Sequence, residues 1–128
     1  MKQSGPVPCP CGGSDYASCC GPYHEGATLP DAERLMRARY SAYVLGRMAF
    51  VFSTWHPDTR PARETLTHDP AIKWLGLDVK RHVTMADEAT VEFVARTKSG
   101  GRAQRLHEIS RFVREDGRWF YVDGTFPD

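Results

Sequence analysis

Apolar residues recur at helical spacing in the first half of the chain and at strand spacing in the second. Leu35, Ala38, Ala42 and Leu45 form one stripe, with Met36, Tyr40 and Tyr43 beside it. That period predicts a long amphipathic helix over DAERLMRARYSAYVLG. Thr28, with Asp31 three residues on and Pro30 in the first turn, marks its start, and Gly46 its stop. A second helical run, RMAFVFSTW, ends before His56-Pro57, because the residue ahead of a proline is pushed out of the helical region. DTRPARETL reads as a short third helix, capped by Asp58 or Thr59 with Pro61 early.

The remainder changes period. IKWLGLDVKRHV, EATVEFVARTK, AQRLHEISRFVRE and RWFYVDG are rich in β-branched and aromatic residues, and Gly100-Gly101 and Asp116-Gly117 are strong hairpin turns. Helices followed by an antiparallel meander predict an α+β fold.

Two-residue turns preserve the parity of pairing, so they assign side chains to faces. Asp116-Gly117 sets Arg114 opposite Trp119, Phe112 opposite Tyr121 and Ser110 opposite Asp123. Gly100-Gly101 sets Ala95 opposite Leu106, Phe93 opposite Glu108 and Val91 opposite Ser110. One face then carries Val91, Phe93, Ala95, Leu106, Phe112, Trp119 and Tyr121, with Glu108, Ser110 and Asp123 set among them. This is the face expected to pack on the helices. Its polar members have two readings. They can line a pocket in which a carboxylate acts as base or binds a ligand. Alternatively, Glu108 pairs with an arginine of the long helix and Asp123 caps a turn. The pocket candidates are Glu108, Ser110, Tyr121 and Asp123, with Trp119 and Phe112 as apolar walls.

Composition narrows this little. The chain has 128 residues, 41% hydrophobic and 26% charged, with a formal net charge of +1. Such a balance gives no strong nucleic-acid signal, since phosphate binding needs an excess of Lys and Arg. Behind MKQSGPVPCPC there is no apolar run of a secretory signal, and no segment approaches the roughly 20 apolar residues of a membrane span. A cytoplasmic location is expected, where thiols stay reduced.

The cysteines matter more. Cys9, Cys11, Cys19 and Cys20 are all that the chain has, and they crowd into CPCGGSDYASCC. The one-residue gap puts Cys9 and Cys11 on one side of an extended segment, Gly12-Gly13 permits the reversal, and Cys19-Cys20 returns to it. Four gathered thiolates suit one tetrahedral Zn²⁺ in a closed, structural site. His24 is the one credible substitute ligand, though a histidine just past such a motif is more often exposed. Disulfides in an exported protein, or unligated thiols, are the alternatives. The expected organisation is a flexible lead over Met1 to Pro8 and a knuckle within residues 1–27, then a second domain over residues 28–128.

Other features read as structural. His56 beside Trp55 could reach the pocket mouth but serves first as a helix terminator. His107 falls on the mixed outer face and is expected to be exposed. Arg34, Arg37 and Arg39 are expected to form a solvated basic edge paired with Glu33. Trp119, Phe120 and Tyr121 alternate across a strand, as packing on both faces requires.

The knuckle CPCGGSDYASCC resembles the SEC-C zinc motif: Cys-x-Cys, seven residues, then Cys-Cys. With CCGPYHEG, LMRARYSAYVLG, WLGLDV and HEISRFVREDGRWFYVDG, the whole chain resembles the YchJ family of bacterial proteins. The resemblance implies an NTF2-like (cystatin-like) domain, in which a long helix lies across a curved antiparallel sheet and leaves a cone-shaped pocket. It transfers the four cysteines as metal ligands and no catalytic residue. Three functions compete. One is a binding or adaptor module for a protein or ribonucleoprotein partner. Another is a small-molecule carrier or isomerase- or dehydratase-like enzyme using the pocket. The third, a redox role for the thiols, is disfavoured because no Cys-x-x-Cys is present.

Overall fold

The computed structural model describes residues 7–127, so Met1 to Pro6 of the expected lead lie outside the described residues. A short helix α1 (Gly21–His24) precedes the long helix α2 (Ala32–Leu45) and then α3 (Met48–Ser53). The cap of α2 is Asp31, not Thr28: its extended backbone aims Oδ1 at the Arg34 N–H, 2.8 Å away. Gly46 closes the helix in the left-handed region at φ +78, where a side chain would be strained.

The third helix expected in DTRPARETL is absent; only a 3₁₀ turn, Arg63–Thr65, forms there. Thr59 and Arg60 both give their N–H groups to His56 O, and Pro61 has none to give, so the ladder cannot propagate.

Four strands, β1 (Lys73–Met85), β2 (Glu88–Ser99), β3 (Arg102–Glu115) and β4 (Arg118–Thr125), form an antiparallel meander in chain order. The β2–β3 register follows the two-residue turn, with Ala95 opposite Leu106, Phe93 opposite Glu108 and Val91 opposite Ser110. The β3–β4 register holds from Arg114–Trp119 to Phe112–Tyr121 and then shifts. Val122 is an extra residue in a bulge, so Asp123 falls opposite Arg111 and Gly124 opposite Ser110. One inserted residue reverses parity. Asp123 therefore leaves the pocket face and grips Arg111 on the outside, at 2.7 and 2.9 Å.

The sheet's inner face packs on α2. Leu35, Val91 and Phe112 are buried at its centre, and Cys9, Cys11 and Cys20 belong to the same cluster. The knuckle thus shares the core of the helix–sheet unit. Part of the free edge of β4 is covered by residues 54–56, through Tyr121 N to Thr54 O and His56 N to Tyr121 O, both 2.8 Å. Among the described residues, no helix is long and apolar enough to cross a membrane.

Candidate metal centre and helix–sheet cavity

The knuckle is built from turns. Cys9 N bonds to Gly13 O and Gly12 N to Cys9 O, each at 3.0 Å, with Gly12 at φ +106. Gly13 is required for space, because a methyl there would meet Cys19 Sγ at 2.5 Å. Asp15 caps the 3₁₀ turn Tyr16–Ser18, which returns Cys19 and Cys20 to the first pair.

The four Sγ atoms all lie within 4.8 Å of one another, and Cys11 and Cys19 stand 3.6 Å apart. Four sulfurs at about 2.3 Å from a tetrahedral ion would be about 3.8 Å apart. None is in a disulfide. The set is a site able to hold a metal ion.

A hydrogen bond from Cys20 outweighs burial and lowers Cys11 to about 4, while that same bond, then burial, drives Cys20 up, and burial raises Cys19. One thiolate is favoured at its neighbours' expense. A divalent cation removes the conflict by letting all four ionise.

Helix α2 supplies the surroundings. Arg34 Nη2 donates to Cys19 Sγ at 3.3 Å and lies 4.0 Å from Cys20 Sγ. Ser41 Oγ is 3.4 Å from Cys9 Sγ. Arg37 donates from Nη1 to Cys11 O at 3.2 Å while its Nε pairs with Glu33. Of the solvated basic edge expected of Arg34, Arg37 and Arg39, the pairing with Glu33 holds for Arg37, while Arg34 turns to the cysteines and Arg39 is buried. Positions 34, 37 and 41 share a face toward the cysteines, whereas residue 39 is rotated from residue 34 by about 140°.

His24 is not exposed, and it stands outside the cysteine cluster with both ring nitrogens engaged elsewhere. It is half-buried, Nε2–H donating to Ala38 O (2.8 Å) and Nδ1 accepting from Tyr16 OH (2.6 Å). Burial lowers its pKa, so the neutral ring is favoured.

The second feature is a cavity of about 270 Å³ between α2 and the sheet, walled by Tyr40, Tyr43, Trp55, Trp74, Phe93 and Phe112. Glu108, only 8% exposed, lies in its wall, and its Oε2 accepts from Ser110 Oγ at 2.8 Å and Tyr121 OH at 2.9 Å. Burial, then the Glu108 carboxylate, pushes the Tyr121 phenol pKa up. Arg39 is the helix arginine here, but it makes no ion pair with Glu108. Its Nη1 donates to Val51 O and Thr54 Oγ1, both 2.9 Å, and its guanidinium lies over the Tyr121 ring at 4.4 Å. Tyr121 thus links the two charged groups, ring to Arg39 and hydroxyl to Glu108.

Of the pocket candidates, Glu108, Ser110, Tyr121 and Phe112 meet at the cavity. Asp123 does not, for the bulge turns it outward. Trp119 does not either: it lies two residues nearer the hairpin turn, buried in the core at a different groove. His56 is buried away from the cavity, bonded to Glu115 at 2.9 Å. His107 is half-buried rather than exposed, 2.6 Å from Glu92. Arg39, Tyr43, Trp55 and Trp74 were not singled out for the cavity. For Arg39 and Tyr43 a signal existed, since both follow Met36 at helical spacing.

Comparison with known proteins agrees with this architecture. Residues 31–124 match the family model "YchJ, middle NTF2-like domain". A UPF0225 protein from Cupriavidus metallidurans is 57% identical over 98% of this chain and 93% of its own length. One from Bordetella parapertussis is 54% identical over 97% and 98%. Among solved structures, a SEC-C motif containing protein from Rhodopseudomonas palustris superposes with a TM-score of 0.81 at 33% identity, covering 95% of this chain and all of that one. A second, from Psychrobacter arcticus, gives 0.77 at 31%, covering 94% and 83%.

Proposed function

The chain belongs to the YchJ (UPF0225) family, with an NTF2-like fold, and we propose that it works as a zinc-stabilised binding module for a protein or ribonucleoprotein partner. One observation carries this reading: the four sulfurs converge within 4.8 Å and are bonded to α2 through Arg34 and Ser41. Cysteine sulfur selects Zn²⁺ over harder cations, and four protein ligands leave no open position for a substrate. The metal's role is then to fold a segment too small to bury a core alone and to fix it against the helix. A rigid knuckle surface follows, of the kind a partner can read.

Elemental analysis and native mass spectrometry of reduced protein are expected to give one zinc per chain, and none for the Cys19→Ser/Cys20→Ser variant. The loaded protein should retain partners from a lysate that the variant loses. Identical recovery by both would remove the adaptor role.

A second reading is favoured by the cavity. An apolar cavity of about 150 Å³ can hold benzene, so about 270 Å³ admits a larger ring compound, with Glu108 available to its polar group. Melting-temperature shifts with small aromatic alcohols, abolished by filling the cavity with Ala95→Phe, test it.

A further inference from the structure

The free edge of β4 is only partly covered. Tyr121 spends its N–H on Thr54 O and its C=O on His56 N, so its backbone faces away from β3. Strand alternation turns the N–H and C=O of Trp119 to that same outer edge. Neither has a backbone partner among the described residues. Trp119 lines a groove of about 830 Å³ between β4, α3 and the connection from α1 to α2.

Two properties of the groove identify what fits. Leu29, Met48, Phe50 and Leu66 give it an apolar wall, and no carboxylate lines it, although Arg47, Arg63 and Arg118 do. Arg47 is paired with Glu25 at 2.8 Å. Arg63 and Arg118 have no carboxylate partner among the described residues. An unpaired strand edge is a template for another strand, and uncompensated arginines select carboxylates.

We propose that this groove takes an extended acidic segment of a partner protein, which adds to the edge of β4 at Trp119. Alternate side chains of such a segment face opposite ways. One set would pack on the apolar wall, and the acidic set would reach Arg63 and Arg118. This deepens the binding-module reading, on which it rests, by giving the partner a chemistry.

The experiment uses zinc-loaded full chain and a labelled eight-residue peptide of alternating Glu and Val, read by fluorescence anisotropy. Its controls are an alternating Lys-Val peptide and the acidic peptide N-methylated on alternate residues. Saturable binding is expected, weakened about tenfold or more by the Lys peptide, by N-methylation and by Arg63→Glu/Arg118→Glu. Both side chains are exposed, and an unchanged circular-dichroism melt of the variant separates loss of binding from loss of fold. Bound acidic peptide should also slow hydrogen exchange at the Trp119 amide. Absence of binding up to millimolar peptide, equal binding of the Lys peptide, or unchanged Trp119 exchange overturns the proposal. So does preferential binding of a single-stranded oligonucleotide, or self-association of the chain through this edge. Zinc content and lysate partners measured on the same preparation separate the outcomes. A loaded, partner-retaining protein that ignores the peptide sinks the groove alone, and equal partner recovery without zinc sinks the module.

Discussion

Arg34 donates from Nη2 to Cys19 Sγ across 3.3 Å, joining the long helix to the cysteine cluster. Four thiolates on a divalent ion leave a charge of about −2, and Arg34 is the cation that the structure sets against it. Arg34→Gln removes that charge and, being shorter, the Nη2 contact with it. Loss of such an outer partner typically weakens metal retention about 10- to 100-fold. Competition with a chromogenic chelator measures it. An unchanged half-transfer concentration would mean that Arg34 only packs beside the site.

Tyr121 predicts a pH dependence at the alkaline end. Burial, then the Glu108 carboxylate, raises its phenol above the ordinary value of about 10. The folded state therefore prefers the protonated form. Its contribution to stability is whole below the unfolded pKa and drains away as pH rises through the higher folded one. Burial raises Tyr16 and Tyr40 as well, so the ultraviolet tyrosinate titration should show several late groups with Tyr121 the last, and Tyr121→Phe should remove that final step. The same substitution takes a donor from buried Glu108, costing about 1–3 kcal/mol at neutral pH in a denaturant melt.

The helix cap gives a cleaner local test. Asp31 Oδ1 accepts from Arg34 N at 2.8 Å, so Asp31→Ala should cost about 1 kcal/mol of unfolding free energy. Thr28→Ala should cost nothing measurable, because Thr28 makes no cap. Chemical denaturation of the two variants decides between the residues.

What was legible from the chain, and what was not, divides along local and non-local lines. The cysteine cluster and the Gly100-Gly101 and Asp116-Gly117 hairpins are short-range features, and their consequences hold over most of both ladders. Val122 carries no mark of a bulge, so Asp123 reads as a pocket residue until its partner Arg111 is seen. The arginines of α2 were legible in principle: a helical wheel puts residues 34, 37 and 41 together and residue 39 elsewhere. What the wheel lacks is the knowledge that the knuckle covers one face and the cavity the other. Trp55 and Trp74 reach the cavity from segments whose approach to α2 depends on tertiary packing alone.

The bulge also makes a prediction at Gly124. By moving this residue opposite Ser110, it brings the Gly124 backbone against Glu108, and an added methyl would collide with that carboxylate. A long side chain can usually swing aside, but Glu108 is held by Ser110 and Tyr121 at 2.8 and 2.9 Å. Moving would break both bonds. Gly124→Ala should therefore destabilise the fold by about 1–3 kcal/mol, as overpacking does, although its backbone is not in the left-handed region. Glu108→Ala is costly on its own account, since it strands two hydroxyls. Together, however, the two substitutions should cost less than their sum, because the methyl then occupies vacated space. A double-mutant cycle by urea denaturation reads that coupling. Strict additivity would mean that Gly124 and Glu108 do not compete for one volume, and that the bulge has not shaped the cavity wall.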